Sequence, residues 1–125
     1  MRCMGCYAGW MKHLIPLLLL AAPALADAPI TEAATATRTA NGWRLNVTLT
    51  HPDTGWDHYA DAWRAETEDG SVLGTRELAH PHVDEQPFTR SLAPVELADG
   101  IATVLIRARC NIDGWSREII ALDLP

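Results

Sequence analysis

Four histidines fall between His51 and His82, and residues 27–125 hold no others. Two of them form the run His80-Pro81-His82. Proline pushes the residue before it toward an extended backbone, and in an extended chain residues i and i+2 project to the same side. The two imidazoles are therefore placed to share one metal ion. His51 stands in the same relation to Pro52. Three or four imidazoles would converge if folding brought His51 or His58 to the end of the domain that holds His80, with Glu85 or Asp57 as an oxygen ligand. Imidazole-rich sets of this kind suit zinc or copper. In this reading His80 and His82 are the primary ligands, and His51, His58 and Glu85 assist. The competing reading gives each histidine a structural place in a turn or half-buried position.

The same block carries other chemistry. Asp53, Asp57 and Asp61 recur every four residues, an oxygen set that could interest calcium but lacks the alternating ligands of a calcium-binding loop. Trp56, Phe88 and Arg90 would make an anchor surface for a partner protein if they were exposed together. Trp63 and Tyr59 read more simply as core and rim. Catalysis is not expected: there is no GxSxG elbow, no HExxH helix and no glycine-rich phosphate loop. The thiol at Cys110 falls on an inward-pointing row.

The elements that must position these side chains read as strands. Trp43 to Thr50 alternates strictly, with Trp43, Leu45, Val47 and Leu49 on one face and Arg44, Asn46, Thr48 and Thr50 on the other. Asn41-Gly42 before it closes a hairpin with a weak edge strand over residues 31–39. His51-Pro52-Asp53-Thr54-Gly55 stops the strand, because proline lacks the ladder donor and glycine permits reversal. Residues 56–67 are expected as one long strand, paired through the turn at Glu68-Asp69-Gly70-Ser71 with residues 72–79. Residues 80–87 form a proline-bounded loop. Residues 88–97 are extended but interrupted at Pro94, as suits an edge. Residues 101–110 form a strand with Ala102, Val104, Ile106, Ala108 and Cys110 inward. Residues 119–124 close the domain, with Ile120, Leu122 and Leu124 on one face. About seven short strands at regular spacing predict an all-β, antiparallel sandwich of immunoglobulin or fibronectin III type, with Trp63 as its central tryptophan.

The first 26 residues read as a cleaved signal peptide: Lys12 and His13, an apolar run from Leu14 to Ala22, and the small residues Ala24-Leu25-Ala26. The apolar run is about half of the ~20 residues that a membrane span needs. Met11 starts such a leader better than Met1, which makes residues 1–10 a candidate over-called start. Cys3 and Cys6 would leave with the leader. The mature chain, residues 27–125, is read as a single domain, periplasmic or secreted, that is not held by a membrane after cleavage. Its eight basic residues are all arginine and face sixteen carboxylates, a balance that argues against nucleic acid and anionic membranes as partners. Cys110 is then the lone cysteine, with no disulfide partner in its own chain.

Two runs, GWDHYADAW at 55–63 and DGSVLGTRELAHPHVDEQPFTRSL at 69–92, resemble a group of small exported bacterial proteins of unknown function. The likeness covers residues 51–92 and extends more loosely from Ile101 to the end. Members of the group often carry a histidine or aspartate near the position of Cys110, then a glycine-rich turn; Arg109-Cys110-Asn111 departs from that pattern. The resemblance implies export and a compact β domain, and no particular activity. Together these readings predict an exported, non-enzymatic binding module. Its ligand is zinc or copper at the histidine cluster or, in the alternative, a periplasmic protein partner at the aromatic and arginine surface.

Overall fold

The computed structural model describes residues 27–125, so the leader, its cleavage point and the Cys3/Cys6 pair lie outside the described residues. Eight strands follow in chain order: β1 (Ile30–Thr39), β2 (Gly42–Thr50), β3 (Ala60–Glu66), β4 (Val72–Glu77), β5 (Phe88–Val95), β6 (Thr103–Cys110), β7 (Gly114–Trp115) and β8 (Ile120–Asp123). They form two antiparallel sheets. One has the order β1-β2-β5; in the other β4, β3 and β6 lie side by side, with β7 and β8 both pairing to β6. This is the expected all-β sandwich, with one short strand, β7, beyond the anticipated set.

The period-two pattern of the sequence becomes the core. Leu45, Val47 and Leu49 of β2 are at most 1% exposed and meet Trp63 and Ala65 of β3 and Val104, Ile106 and Ala108 of β6. Trp63 is fully buried, as the sandwich reading requires. The tight entry to β2 depends on Gly42: its φ is +139°, and a Cβ there would meet the Val95 carbonyl oxygen at 2.7 Å. A side chain would be strained at that angle. The β6 row is inward from Val104 to Cys110, whereas Ala102 precedes the strand and is exposed.

Residues 56–67 differ from the single long strand expected. Only 60–66 are strand, because residues 53–59 fold back on themselves. The Thr54 amide donates to the His58 carbonyl, the His58 amide donates to the Gly55 carbonyl, and Gly55 turns the chain at φ +144°. The register of β3 on β6 also shifts between Ala60 and Ala62, which changes the face of everything upstream.

On the outer side of the second sheet, Glu66 is buried between two arginines. Its Oε2 accepts from Arg64 Nε at 2.7 Å and Arg107 Nε at 2.8 Å, and the Arg64 guanidinium stacks 4.1 Å from the Trp115 ring centre. Arg107, then Arg64, hold the Glu66 carboxyl below the usual range against the opposing effect of burial. At one end of the sandwich, the end of β2, the start of β3 and the end of β6 come together: Ala60 pairs with Cys110, and His51 comes directly after Thr50.

A buried histidine–cysteine cluster at one end of the sandwich

Asp53 organises this end. Its Oδ1 lies 2.6 Å from His51 Nδ1 and also accepts the Ala60 amide at 3.0 Å, while Oδ2 accepts the His82 amide at 2.8 Å. Both side chains of the His51–Asp53 pair are fully buried. A carboxylate oxygen accepts, so His51 Nδ1 is the donor of the short contact and Nε2 is the ring nitrogen that Asp53 leaves unengaged. That Nε2 is buried with no hydrogen-bond partner, and so is His58 Nε2. A buried polar atom without a partner is costly; two of them side by side require an explanation.

The rings of His51 and His58 meet edge to face, 4.8 Å between centres. Beside them is the buried thiol of Cys110. One ligand atom from each of His51, His58 and Cys110 lies within 4.8 Å of the others. Metal–nitrogen and metal–sulfur bonds of about 2.0–2.3 Å put the donors of one ion roughly 3.3–3.8 Å apart, so closing the cluster onto an ion takes a shift of about an ångström.

Asn111 holds the third side in place. Its Oδ1 accepts the Tyr59 amide at 2.9 Å, and its Nδ2 donates to the carbonyls of Trp56 and Asp57, each at 3.2 Å. Its own amide donates to the Tyr59 carbonyl at 3.1 Å. The residue after Cys110 therefore clamps the loop that carries His58.

The other expected ligands lie elsewhere. His80 and His82 are neighbours, 4.5 Å between ring centres, as the HPH spacing requires, but their nitrogens are not free together. His80 is exposed and its Nδ1 contacts the Pro81 carbonyl at 3.0 Å. His82 is buried, stacked 3.9 Å over Phe88, and Arg90 Nη2 sits 2.8 Å from its Nε2. A guanidinium has only donors, so that nitrogen spends its lone pair on Arg90. His82 Nδ1 faces Asp53 Oδ2 at 4.0 Å. Burial, then the positive charge of Arg90 and of His80, lowers the His82 pKa below the ordinary histidine value. Glu85 is exposed and pairs with Arg90 at 3.6 Å. Asp57 is exposed, and Asp61 lies on β3 beside Arg109, 3.6 Å away. His82 thus supports Asp53 from behind, and the side chains that the fold groups at metal-ligand spacing are His51, His58 and Cys110.

Neither does the expected anchor surface come together. Trp56 is 66% exposed, but Phe88 is 2% exposed under His82 and Arg90 is half-buried. The period-two pattern does put Cys110 on the inward row, yet nothing local shows that this row ends against His51 and His58.

Among the described residues, no helix is long and apolar enough to cross a membrane. No family model matches the chain, and no solved structure does. The chain is similar to a Halomicrobium mukohataei protein named "Putative lipoprotein", 40% identical over 79 residues. Those residues are 63% of this chain and 38% of the relative, so the chain spans about two fifths of the length of the relative it matches.

Proposed function

We propose that this chain is an exported, non-enzymatic β-sandwich that binds a transition metal, zinc or copper, through His51, His58 and Cys110. The observation that carries the reading is that one ring nitrogen from each of His51 and His58 and the buried Cys110 Sγ lie within 4.8 Å of one another, with both histidine Nε2 atoms buried and unpartnered. Two imidazoles and a thiolate are borderline-to-soft donors that suit these metals and not magnesium or calcium. Asp53 supplies the outer carboxylate that fixes a metal-binding histidine in the correct tautomer. Export is supported by the leader-like first 26 residues and by the relative's name, since a lipoprotein is carried across a membrane and tethered to it.

Metal content of the purified protein, after exposure to equimolar zinc and copper, tests the reading. The expected result is one equivalent bound, lost in Cys110→Ser and in His58→Gln and retained in His80→Ala. Absence of stoichiometric metal in the wild-type protein, or loss in His80→Ala equal to that in Cys110→Ser, overturns it. The alternative, a docking module, keeps Trp56 as its exposed anchor; it gains ground if the protein takes no metal.

A further inference from the structure

We propose that the cluster is a copper site which takes copper ahead of zinc through a three-coordinate set of two imidazole nitrogens and one thiolate. This rests on the metal reading above and goes further by naming the metal and the coordination.

Three donors, and not four, meet at the cluster. Among the described residues the cluster contains His51, His58 and Cys110 and no fourth histidine, cysteine or carboxylate. The neighbouring carboxylate, Asp53, has both oxygens engaged: Oδ1 with His51 Nδ1 and the Ala60 amide, Oδ2 with the His82 amide. His82, the next histidine, has its Nε2 on Arg90. Structural zinc sites close with four protein ligands, and three-ligand zinc sites keep a water in an open position. Two of the three residues here are sealed from solvent, His51 at 1% and Cys110 at 0% exposure. Only the half-buried His58 borders the surface, which leaves little access for that water.

The chemistry of these donors also favours copper. Two histidines and a cysteine in a trigonal set are the donors that copper accepts without a strong fourth ligand. For one fixed nitrogen and sulfur site, divalent copper also binds above zinc in the general affinity order. Two sets of contacts limit how far the donors must travel: Asp53 holds His51, and Asn111 holds the His58 loop against the strand end that carries Cys110. Binding converts the Cys110 thiol to a thiolate bonded to copper and releases its one proton to solvent, with no change in the oxidation state of metal or sulfur.

The experiment is a metal competition on the purified protein under oxygen-free conditions, with copper(II) and zinc as probes. Copper(II) is expected to displace zinc from the zinc-loaded protein with a preference of at least about tenfold. It should also produce the intense visible absorption of a copper–thiolate bond. That absorption should vanish in Cys110→Ser and weaken or shift in His58→Gln; the second variant, at a half-buried position, keeps the test valid if the first fails to fold. One equivalent of zinc that copper does not displace overturns the copper proposal and leaves the metal reading standing. Copper uptake without the thiolate absorption, or oxidation of Cys110 to a covalent dimer, also overturns it. Binding of neither metal overturns both.

Discussion

His51 and Asp53 are two residues apart and face each other through a 2.6 Å contact between Nδ1 and Oδ1, with neither side chain exposed. Pro52 lies between them, and the Asp53 amide folds back on the His51 carbonyl at 2.7 Å. Through the amides of Ala60 and His82, the same carboxylate ties the start of β3 and the loop after β4 to the end of β2. One side chain thus holds three segments and engages Nδ1 of a histidine that clusters with His58 and Cys110.

Asp53→Asn should therefore weaken both fold and site. The amide can keep one acceptor, but its NH2 must face an amide or imidazole that is itself a donor. The expected loss is about 1–3 kcal/mol of unfolding free energy, the usual cost of an unsatisfied buried group. Metal affinity should fall by roughly 10- to 100-fold, as for other outer carboxylates that orient a ligating histidine. Urea denaturation and a metal competition measure the two losses separately, and an unchanged affinity would show that Asp53 does not orient His51.

Asn111→Ala removes an acceptor for the Tyr59 amide and a donor to the carbonyls of Trp56 and Asp57. Those groups lie near the surface and water can replace part of the loss, so the expected cost is about 1 kcal/mol. The effect on the site should be larger than the effect on the fold, because the His58 loop loses its tether while the Trp63 core is untouched. Hydrogen exchange should show faster opening of residues 55–59 with little change in β2 and β6; uniform destabilisation would argue against a local clamp.

The state of His82 predicts a pH dependence. Its folded pKa is lowered by burial and by Arg90 and His80, so the folded chain holds fewer protons on this residue than the unfolded chain just below the ordinary value of 6.5. The stabilisation is complete above that value and is lost as pH falls from it toward the folded pKa. Thermal unfolding between pH 7.5 and about 5.5 should show a decline in Tm that His82→Gln flattens. A decline of the same steepness in the variant would assign it to other groups.

Much of the sandwich is legible in local pattern. The alternation of residues 43–50 and 104–110 becomes two core faces because side chains on a strand alternate between its sides, and Gly42 turns where Asn41-Gly42 predicts. The extent of β3 was not legible. Residues 56–59 carry a strand-like composition, but Gly55 and the Asp53 hydrogen bonds divert them into a turn, and the shift between Ala60 and Ala62 alters the phase. An anchor surface needed Phe88 exposed beside Trp56 and Arg90, a condition that local pattern leaves open; β5 turns Phe88 inward and His82 covers it.

By itself, then, the sequence determined that this chain builds an antiparallel sandwich and offered the histidines between residues 51 and 82 as candidate metal ligands, while it placed Cys110 only on an inward row. It also determined that His80 and His82 sit side by side, since one proline and a two-residue spacing settle that locally. Only the tertiary structure decided which donors converge. His51, His58 and Cys110 belong to the end of one strand, a loop and the end of another, drawn from both sheets. Their meeting depends on the pairing of Ala60 with Cys110 and on the reach of Asp53 and Asn111 across the gap. The Ala60–Cys110 pairing and the Asn111–Tyr59 bond join residues some fifty positions apart in the chain, where no local periodicity carries information. The energy that favours them comes from burying Trp63 and its neighbours between the two sheets.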